Sequence, residues 1–182
     1  MGMPAPIYYT ADMVRALPED GNKYEVVHGE LLVTPAPKPW HEIVWGRIFD
    51  ALRAYARAEP VGHVFGSRSD ISYGPDTLVS PDIIVVPLEE ARTNDWAQIR
   101  HLLLVVEVLS PSSKRHDRFT KRRLFQEQGV PLYWIVDGDA HAVEVWTPEA
   151  RFPRIERERL SWQPAGARTP LMLLLEDLFR PL

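Results

Sequence analysis

Two short apolar runs limit the possible folds of this chain more than any other feature. They cover residues 82–86 and 102–109, contain several valines and isoleucines, and lack the polar–apolar alternation of a half-exposed strand. Runs of this length and composition are typical of central strands that are covered on both faces. The chain is therefore predicted to form a sheet with other elements packed against each side.

The segments around these runs predict further helices and strands. Helices are predicted over residues 11–17, 41–58 and 113–128; Thr10 caps the first and Gly129 closes the last. A hairpin is predicted over residues 24–33 with its turn at His28-Gly29, and other strands at residues 62–66, 70–73, 132–136, 143–146 and 154–160. The predicted class is mixed α/β (α+β), with a central mixed β-sheet flanked by helices in a single domain over residues 1–182.

Composition excludes several kinds of protein. The chain has 45% hydrophobic and 25% charged residues, as globular proteins do, and no apolar run approaches the roughly 18 residues of a membrane span. With no cysteine, it has no disulfide and no thiolate site for zinc, and its six histidines include no closely spaced pair. A net charge of −4 argues against coating nucleic acid by bulk charge. We expect a cytoplasmic protein without a membrane partner, because no secretion signal is visible.

Two acidic residues lie at the ends of the apolar runs. Asp82 begins the first run and Glu107 lies near the end of the second. If these strands pair in antiparallel fashion, the two carboxylates meet at one edge of the sheet. Burying two acids together is costly without a cation, and two convergent carboxylates suit Mg²⁺. The alternative is that each acid simply ends its strand in solvent.

A series of short motifs follows the same order along most of the chain, from about residue 7 to residue 146. They are Tyr24-Glu25, Gly29-Glu30, His41, Asp70-Ile71, Pro81-Asp82, Glu107-Val108-Leu109-Ser110-Pro111-Ser112, Asp117 with Lys121, Gly129-Val130-Pro131 and Tyr133-Trp134-Ile135-Val136-Asp137. In these motifs the chain resembles the PD-(D/E)XK nuclease superfamily. More narrowly, it resembles the bacterial Uma-type family of restriction-endonuclease-like proteins.

This resemblance implies a restriction-endonuclease-like core and metal-dependent hydrolysis of phosphodiester bonds in DNA. Asp82 and Glu107 would hold Mg²⁺, with Mn²⁺ as a possible substitute, and the Val108 carbonyl would be a third ligand. The superfamily pattern places a lysine two residues after the second acid, where this chain has Leu109. The matching lysine is Lys121, from the following helix.

The resemblance also suggests residues around this core. Glu25 would position the metal or bind a second one, and Glu30, Asp70, His41 and Asp117 would surround the site. Each also has a simpler interpretation: the two glutamates are polar residues of a hairpin, and Asp70 ends a strand. His41 begins a helix, and Asp117 with Lys121 makes a surface ion pair. Phe125 stands where the family commonly has tyrosine, so no phenol is expected there.

A basic run follows Glu107. Lys114, Arg115, Arg118, Arg122 and Arg123 would bind the phosphate backbone of DNA, or they form an ordinary solvated helix face. One alternative function is a catalytically inactive nucleic-acid-binding or protein-interaction module of the same fold. Another is a structural oligomer, with Trp134 and the apolar residues 171–175 at its interface. We expect a homodimer or higher homo-oligomer.

Overall fold

The computed structural model describes residues 7–182 and contains helices on both sides of a β-sheet. Residues 1–6, which the predicted domain includes, lie outside the described residues. The helices are α1 (Ala11–Arg15), α2 (Pro39–Ala58), α3 (Leu88–Ala91), α4 (Arg122–Glu127) and α5 (Leu175–Phe179), with a 3₁₀ turn at Trp96–Gln98 and a π-helix at His116–Lys121. The strands are β1 (Lys23–Val27), β2 (Glu30–Thr34), β3 (His63–Phe65), β4 (Ile71–Gly74), β5 (Thr77–Val79), β6 (Ile83–Val86), β7 (Leu104–Val108), β8 (Tyr133–Asp137), β9 (Ala142–Trp146), β10 (Arg154–Glu156), β11 (Arg159–Trp162) and β12 (Leu171–Leu174).

The central sheet has six strands in the order β10-β9-β8-β7-β6-β3. Strands β7 and β8 are parallel, whereas the other neighbours are antiparallel. The mixed α/β class and the mixed central sheet predicted from the sequence are thus confirmed. A second, antiparallel sheet has the order β2-β1-β5-β4, and β11 and β12 form a third.

Strands β6 and β7 are buried along their whole length, as their composition predicts. Successive side chains point to opposite faces, so each strand contributes to two hydrophobic clusters. On one face, the apolar side of α2 packs against Ile83 and Val106. On the other, α4 and the four-stranded sheet cover Ile84 and Val105. Asp82 is two residues from Ile84, and Glu107 is two residues from Val105. Both acids therefore point to the same face as this second pair, which is the face that α4 covers.

The predicted helix over residues 113–128 is not a regular α-helix. A π-helix at His116–Lys121 precedes α4, and this wide turn contains one residue more than an α-helical turn. Asp117 and Lys121 are both buried in it, whereas Phe119 is exposed. The sequence did not predict the wide turn, because the residue pattern of a π-turn differs little from that of an α-helix.

Two expectations about the C-terminal third were wrong: a single strand over residues 154–160, and Trp134 at an interface. The predicted strand over residues 154–160 is divided: β10 joins the central sheet, and β11 pairs with β12 in a separate ribbon. Of the apolar residues 171–175, Leu171 and Leu175 are buried in the core, whereas Met172 and Leu174 are exposed, so an interface at this segment stays an alternative. Trp134 has no exposed surface, so it contributes nothing to an interface in this fold. In residues 7–182, no helix is long and apolar enough to cross a membrane.

Candidate functional site

The pairing of β6 with β7 brings the two acids together. Ile83 lies opposite Val106, so Asp82 and Glu107 are neighbours at the end of the ladder. The Asp82 backbone N–H donates to Glu107 Oε2 at 3.3 Å. Both residues are at most 7% exposed, so neither acid ends its strand in solvent.

Lys121 lies at the centre of this acidic group. Its Nζ is 2.8 Å from Glu107 Oε1, 2.8 Å from Glu25 Oε2 and 3.2 Å from Asp117 Oδ1. Only 1% of the residue is exposed, so its pair with Asp117 is not a surface ion pair. Asp117 and Lys121 are four residues apart in the π-helix, and both lie on its buried inner face.

Glu25 is part of the cluster but does not line the cavity beside it. It reaches Lys121 from β1, and its Oε1 accepts the backbone N–H of Ser80 at 2.8 Å. That contact ties β1 to the loop immediately before Asp82. Glu25 is therefore placed to position Lys121 and this loop, and it is not placed as a ligand facing the cavity.

Asp82 has a different partner at each oxygen. Its Oδ2 accepts the backbone N–H of Val108 at 2.9 Å and lies 3.2 Å from His41 Nε2. Its Oδ1 lies 3.2 Å from the Nζ of Lys23, a residue that the sequence reasoning missed. His41 comes from the first turn of α2, so this helix start contacts the carboxylate directly.

Lys23 bridges the two acids. Its Nζ is 3.2 Å from Asp82 Oδ1 and 4.0 Å from Glu107 Oε2, and it donates to the Ser80 carbonyl at 3.1 Å. Its side chain is 29% exposed, whereas that of Lys121 is 2% exposed. One sequence signal could have found it: Lys23 directly precedes the Tyr24-Glu25 motif and is one of only four lysines in the chain.

Burial and charge shift the pKa values of these groups in opposite directions. Burial raises the pKa of Glu107 well above its usual range, and the neighbouring Asp82 charge adds to this rise. Burial also acts on Asp82, but Lys23 and His41 outweigh it and hold the pKa of Asp82 below its usual range. Burial alone would lower the pKa of Lys121, yet its three carboxylate neighbours raise it well above the ordinary value. Lys121 is therefore a permanent cation.

A cavity of about 570 Å³ opens onto the cluster. Asp82, Glu107, Lys121 and His41 form part of its lining, while the exposed Asp70 lies at its rim. Glu30 is exposed at the opposite end of its hairpin and does not line the cavity. Of the residues predicted to form or surround the metal site, the structure thus brings together all except Glu30, with Glu25 behind Lys121.

The oxygens that face Lys23 could hold a metal ion. Asp82 Oδ1 and Glu107 Oε2 already converge on one positive charge, and both are hard carboxylate donors. Mg²⁺ suits such a pair, because it commonly binds one or two carboxylates and completes its octahedron with water and substrate oxygens. Within residues 7–182, no three His, Cys, Asp or Glu side chains form a ready-made metal cage.

The predicted basic run lies outside the cavity. Arg118 pairs with Asp137 and Glu144, while Lys114 pairs with Asp139. The other three are placed as follows: Arg122 stacks over the Trp146 ring, Arg123 pairs with Glu127, and Arg115 is exposed. None of the five lines the cavity, and their contact with the phosphate backbone of DNA stays a prediction. The cations that line it are Arg15, Lys23, Arg68 and Lys121.

Comparison with known proteins places this chain in a family. No curated protein matches the chain at a significant level. A solved structure, described as a putative nuclease belonging to DUF820 from Anabaena variabilis, has the same fold with a TM-score of 0.77 and 23% sequence identity. The match covers 94% of this chain and 97% of that chain. The family model described as "Uma2: Putative restriction endonuclease" matches residues 11–180. The chain therefore belongs to the Uma2 family.

Proposed function

We propose that this protein hydrolyses phosphodiester bonds in DNA with the help of Mg²⁺, for which Mn²⁺ can substitute. The observation that carries the proposal is the convergence of Asp82 Oδ1 and Glu107 Oε2 on one cation position. Lys121 contacts the other oxygen of Glu107. Two carboxylates and a buried lysine beside a cavity match the acid pair and lysine of the superfamily that the sequence resembles.

The metal would be held by Asp82 and Glu107, with the Val108 carbonyl as a third ligand. When bound, Mg²⁺ supplies Lewis-acid stabilisation of the negative charge that develops on the phosphate and makes a nearby water more acidic. The protein itself orients these ligands. His41 and the Val108 N–H both contact Asp82 Oδ2, which leaves Oδ1 directed at the shared position.

Lys121 would act as the catalytic lysine. Lys121 is among the residues that line the cavity, and three carboxylates hold its ammonium in place. A fixed positive charge at this place stabilises a developing anion without reorganisation during the reaction. Glu25 and Asp117 act through Lys121 and are positioning residues.

The proposed partner is DNA, and the cavity supports a polyanionic substrate. Two arginines, Arg15 and Arg68, lie among its lining residues and would contact backbone phosphates. Such contacts position a nucleic acid but carry no information on its sequence. The homo-oligomeric state and the cytoplasmic location expected from the sequence stay predictions.

Nicking of supercoiled plasmid tests this function. We expect wild type to convert plasmid to open circles with Mg²⁺ or Mn²⁺, and Asp82→Asn to lose at least about 100-fold in rate. The change removes a charged metal ligand, and its effect should be at least that of losing one oxyanion-hole donor, roughly 2.7–4 kcal/mol of barrier. The asparagine keeps an oxygen for the Val108 N–H. The matched control is Asp50→Asn, an acid-to-amide change at an exposed position of α2.

Two outcomes would contradict the proposal. Nicking by wild type that persists in EDTA would remove the metal requirement. Equal rates for Asp82→Asn and Asp50→Asn would show that the observed cleavage does not come from this site.

A further inference from the structure

Lys23 differs from every other cation in the site because it lies where the metal is proposed to lie. Its Nζ is within 3.2 Å of Asp82 Oδ1 and 4.0 Å of Glu107 Oε2. These are the two oxygens that no other cation contacts within the described residues. Lys121 pairs with Glu107 Oε1, while His41 contacts Asp82 Oδ2.

The two lysines also differ in how firmly they are held. Lys121 is surrounded by three carboxylates and is 2% exposed in its side chain. Lys23 begins strand β1 and lines the cavity, and its side chain is 29% exposed. Its flexible four-carbon stem therefore has room to move into the cavity, whereas the ammonium of Lys121 has none.

The charge of the cluster explains why a cation is needed at this position. Four acids, namely Glu25, Asp82, Glu107 and Asp117, are buried together. Lys121 alone cannot balance them, and carboxylates this close repel one another when ionised. An ammonium between Asp82 and Glu107 relieves that repulsion, as a divalent ion would.

We propose that Lys23 is an internal counter-cation that competes with the divalent metal for Asp82 and Glu107. This inference rests on the proposed function, since it assumes that a metal binds this acid pair. Metal binding displaces the ammonium from between the carboxylates into the cavity. The affinity for metal is therefore lower than the two carboxylates alone would give, and Lys23 sets it.

Titration with Mn²⁺ in an isothermal calorimeter tests this competition directly. We expect Lys23→Met to bind Mn²⁺ about 10-fold more tightly or better than wild type, because a unit charge about 4 Å from a cation costs on the order of 1 kcal/mol or more per charge. Lys23→Arg keeps a competing charge and should stay within about threefold of wild type. Lys38→Met is the matched control, since it removes an exposed lysine that does not line the cavity.

A second measurement needs no variant. In the NMR spectrum of wild type labelled at its lysine side chains, four ammonium-bearing groups give signals. Addition of Mg²⁺ should shift the Lys23 signal most, while the Lys121 side chain stays in its carboxylate cage. An unmoved Lys23 signal at saturating metal would overturn the inference, even if Lys23→Met failed to fold.

The outcomes separate this inference from the proposed function. Equal or weaker Mn²⁺ binding by Lys23→Met would disprove competition and leave the proposed metal site standing. Failure of both proteins to bind Mn²⁺ or Mg²⁺ would remove the metal site and the competition together. Tighter binding by Lys23→Met and Lys38→Met alike would also contradict the inference, because it would reflect net charge alone.

Discussion

At the scale of single residues, the site is a set of buried charges that compensate one another. Lys121 is the most constrained of them, because three carboxylates lie within 3.2 Å of its ammonium and water has almost no access. A buried charge that loses its partner costs far more than a surface pair contributes. Lys121 therefore has a structural role as well as its proposed catalytic one.

We expect Lys121→Met to lower the free energy of unfolding at neutral pH by about 3–5 kcal/mol, because it leaves Glu25, Glu107 and Asp117 without their shared cation. Urea unfolding measures this loss. The exposed Lys38→Met, which carries the same chemical change, should stay within about 0.5 kcal/mol of wild type. If both variants lost equally little, the carboxylates would not depend on Lys121.

Sequence reasoning identified the cluster residues whose neighbours along the chain form distinctive motifs. Asp82, Glu107 and Lys121 all belong to such motifs, and the antiparallel pairing of two apolar runs predicts the meeting of the acids. Lys23 was missed although it directly precedes the Tyr24-Glu25 motif, because its contact with the acids depends on the pairing of β1 with β5, which brings it beside Ser80. That contact joins residues 57 positions apart.

At the scale of elements, the turn between β8 and β9 is built around one carboxylate. Asp137 ends β8, and its Oδ1 accepts the backbone N–H groups of Asp139 and Ala140 at 3.1 and 3.0 Å. Its Oδ2 accepts from Arg118 at 2.8 Å, which ties the π-helix to the sheet. Burial would raise the pKa of Asp137, but the turn N–H of Ala140 and the Arg118 guanidinium outweigh it and hold that pKa below the usual range.

This lowered pKa predicts a pH-dependent effect on stability. At neutral pH, Asp137→Asn should lower the free energy of unfolding by about 1–2 kcal/mol, because charge-assisted hydrogen bonds are lost. A carboxyl whose pKa is lower in the folded state stabilises the fold above its unfolded pKa of about 3.9, and this contribution is lost as the pH falls through the folded value. The difference between the two proteins should therefore shrink on acidification.

Urea unfolding at neutral pH and near pH 3 checks this expectation. The neighbouring Asp139→Asn is the control, because that carboxylate is 76% exposed and makes one surface pair with Lys114. A difference between Asp137→Asn and wild type that grew on acidification would show the opposite sign of shift.

Predictions of individual elements succeeded where the pattern is local and failed where pairing is distant. As the sequence predicts, Thr10 caps α1 by accepting the Met13 N–H, and the hairpin turns at His28-Gly29, where both residues have positive φ. The pairing of β11 with β12 was missed, because both strands are short and a loop separates them along the chain. Leu171 and Leu175 of this segment are buried in the core. A run of leucines in the sequence does not show which element will cover it.

At the scale of the whole molecule, the central sheet separates two hydrophobic clusters, and the site lies at the end of its middle strands. Trp134 is among the largest fully buried side chains and belongs to the cluster under α2 and α5. Its indole Nε1 has no hydrogen-bond partner among residues 7–182. It stabilises the fold by volume alone, so it is a core residue and not a contact for a second copy.

Trp134→Ala should cost about 3–5 kcal/mol of stability, because it leaves a large cavity in the core. Trp134→Phe should cost clearly less, since it keeps most of the ring volume and removes the unpartnered N–H. Light scattering at several concentrations should give the same mass for wild type and Trp134→Phe. A mass that changed with this substitution would restore Trp134 as an interface residue.

The wide turn at His116–Lys121 also limits how related chains can change in length. Deleting one residue there converts the turn into an ordinary α-helix, which costs the helix nothing in hydrogen bonds. The two halves of the segment then rotate by about 100° relative to each other, and Lys121 leaves its carboxylates. An insertion would need a still wider turn. Among related chains, length variation at this turn should therefore consist of deletions. A chain with such a deletion would keep the sheet but would have no buried lysine.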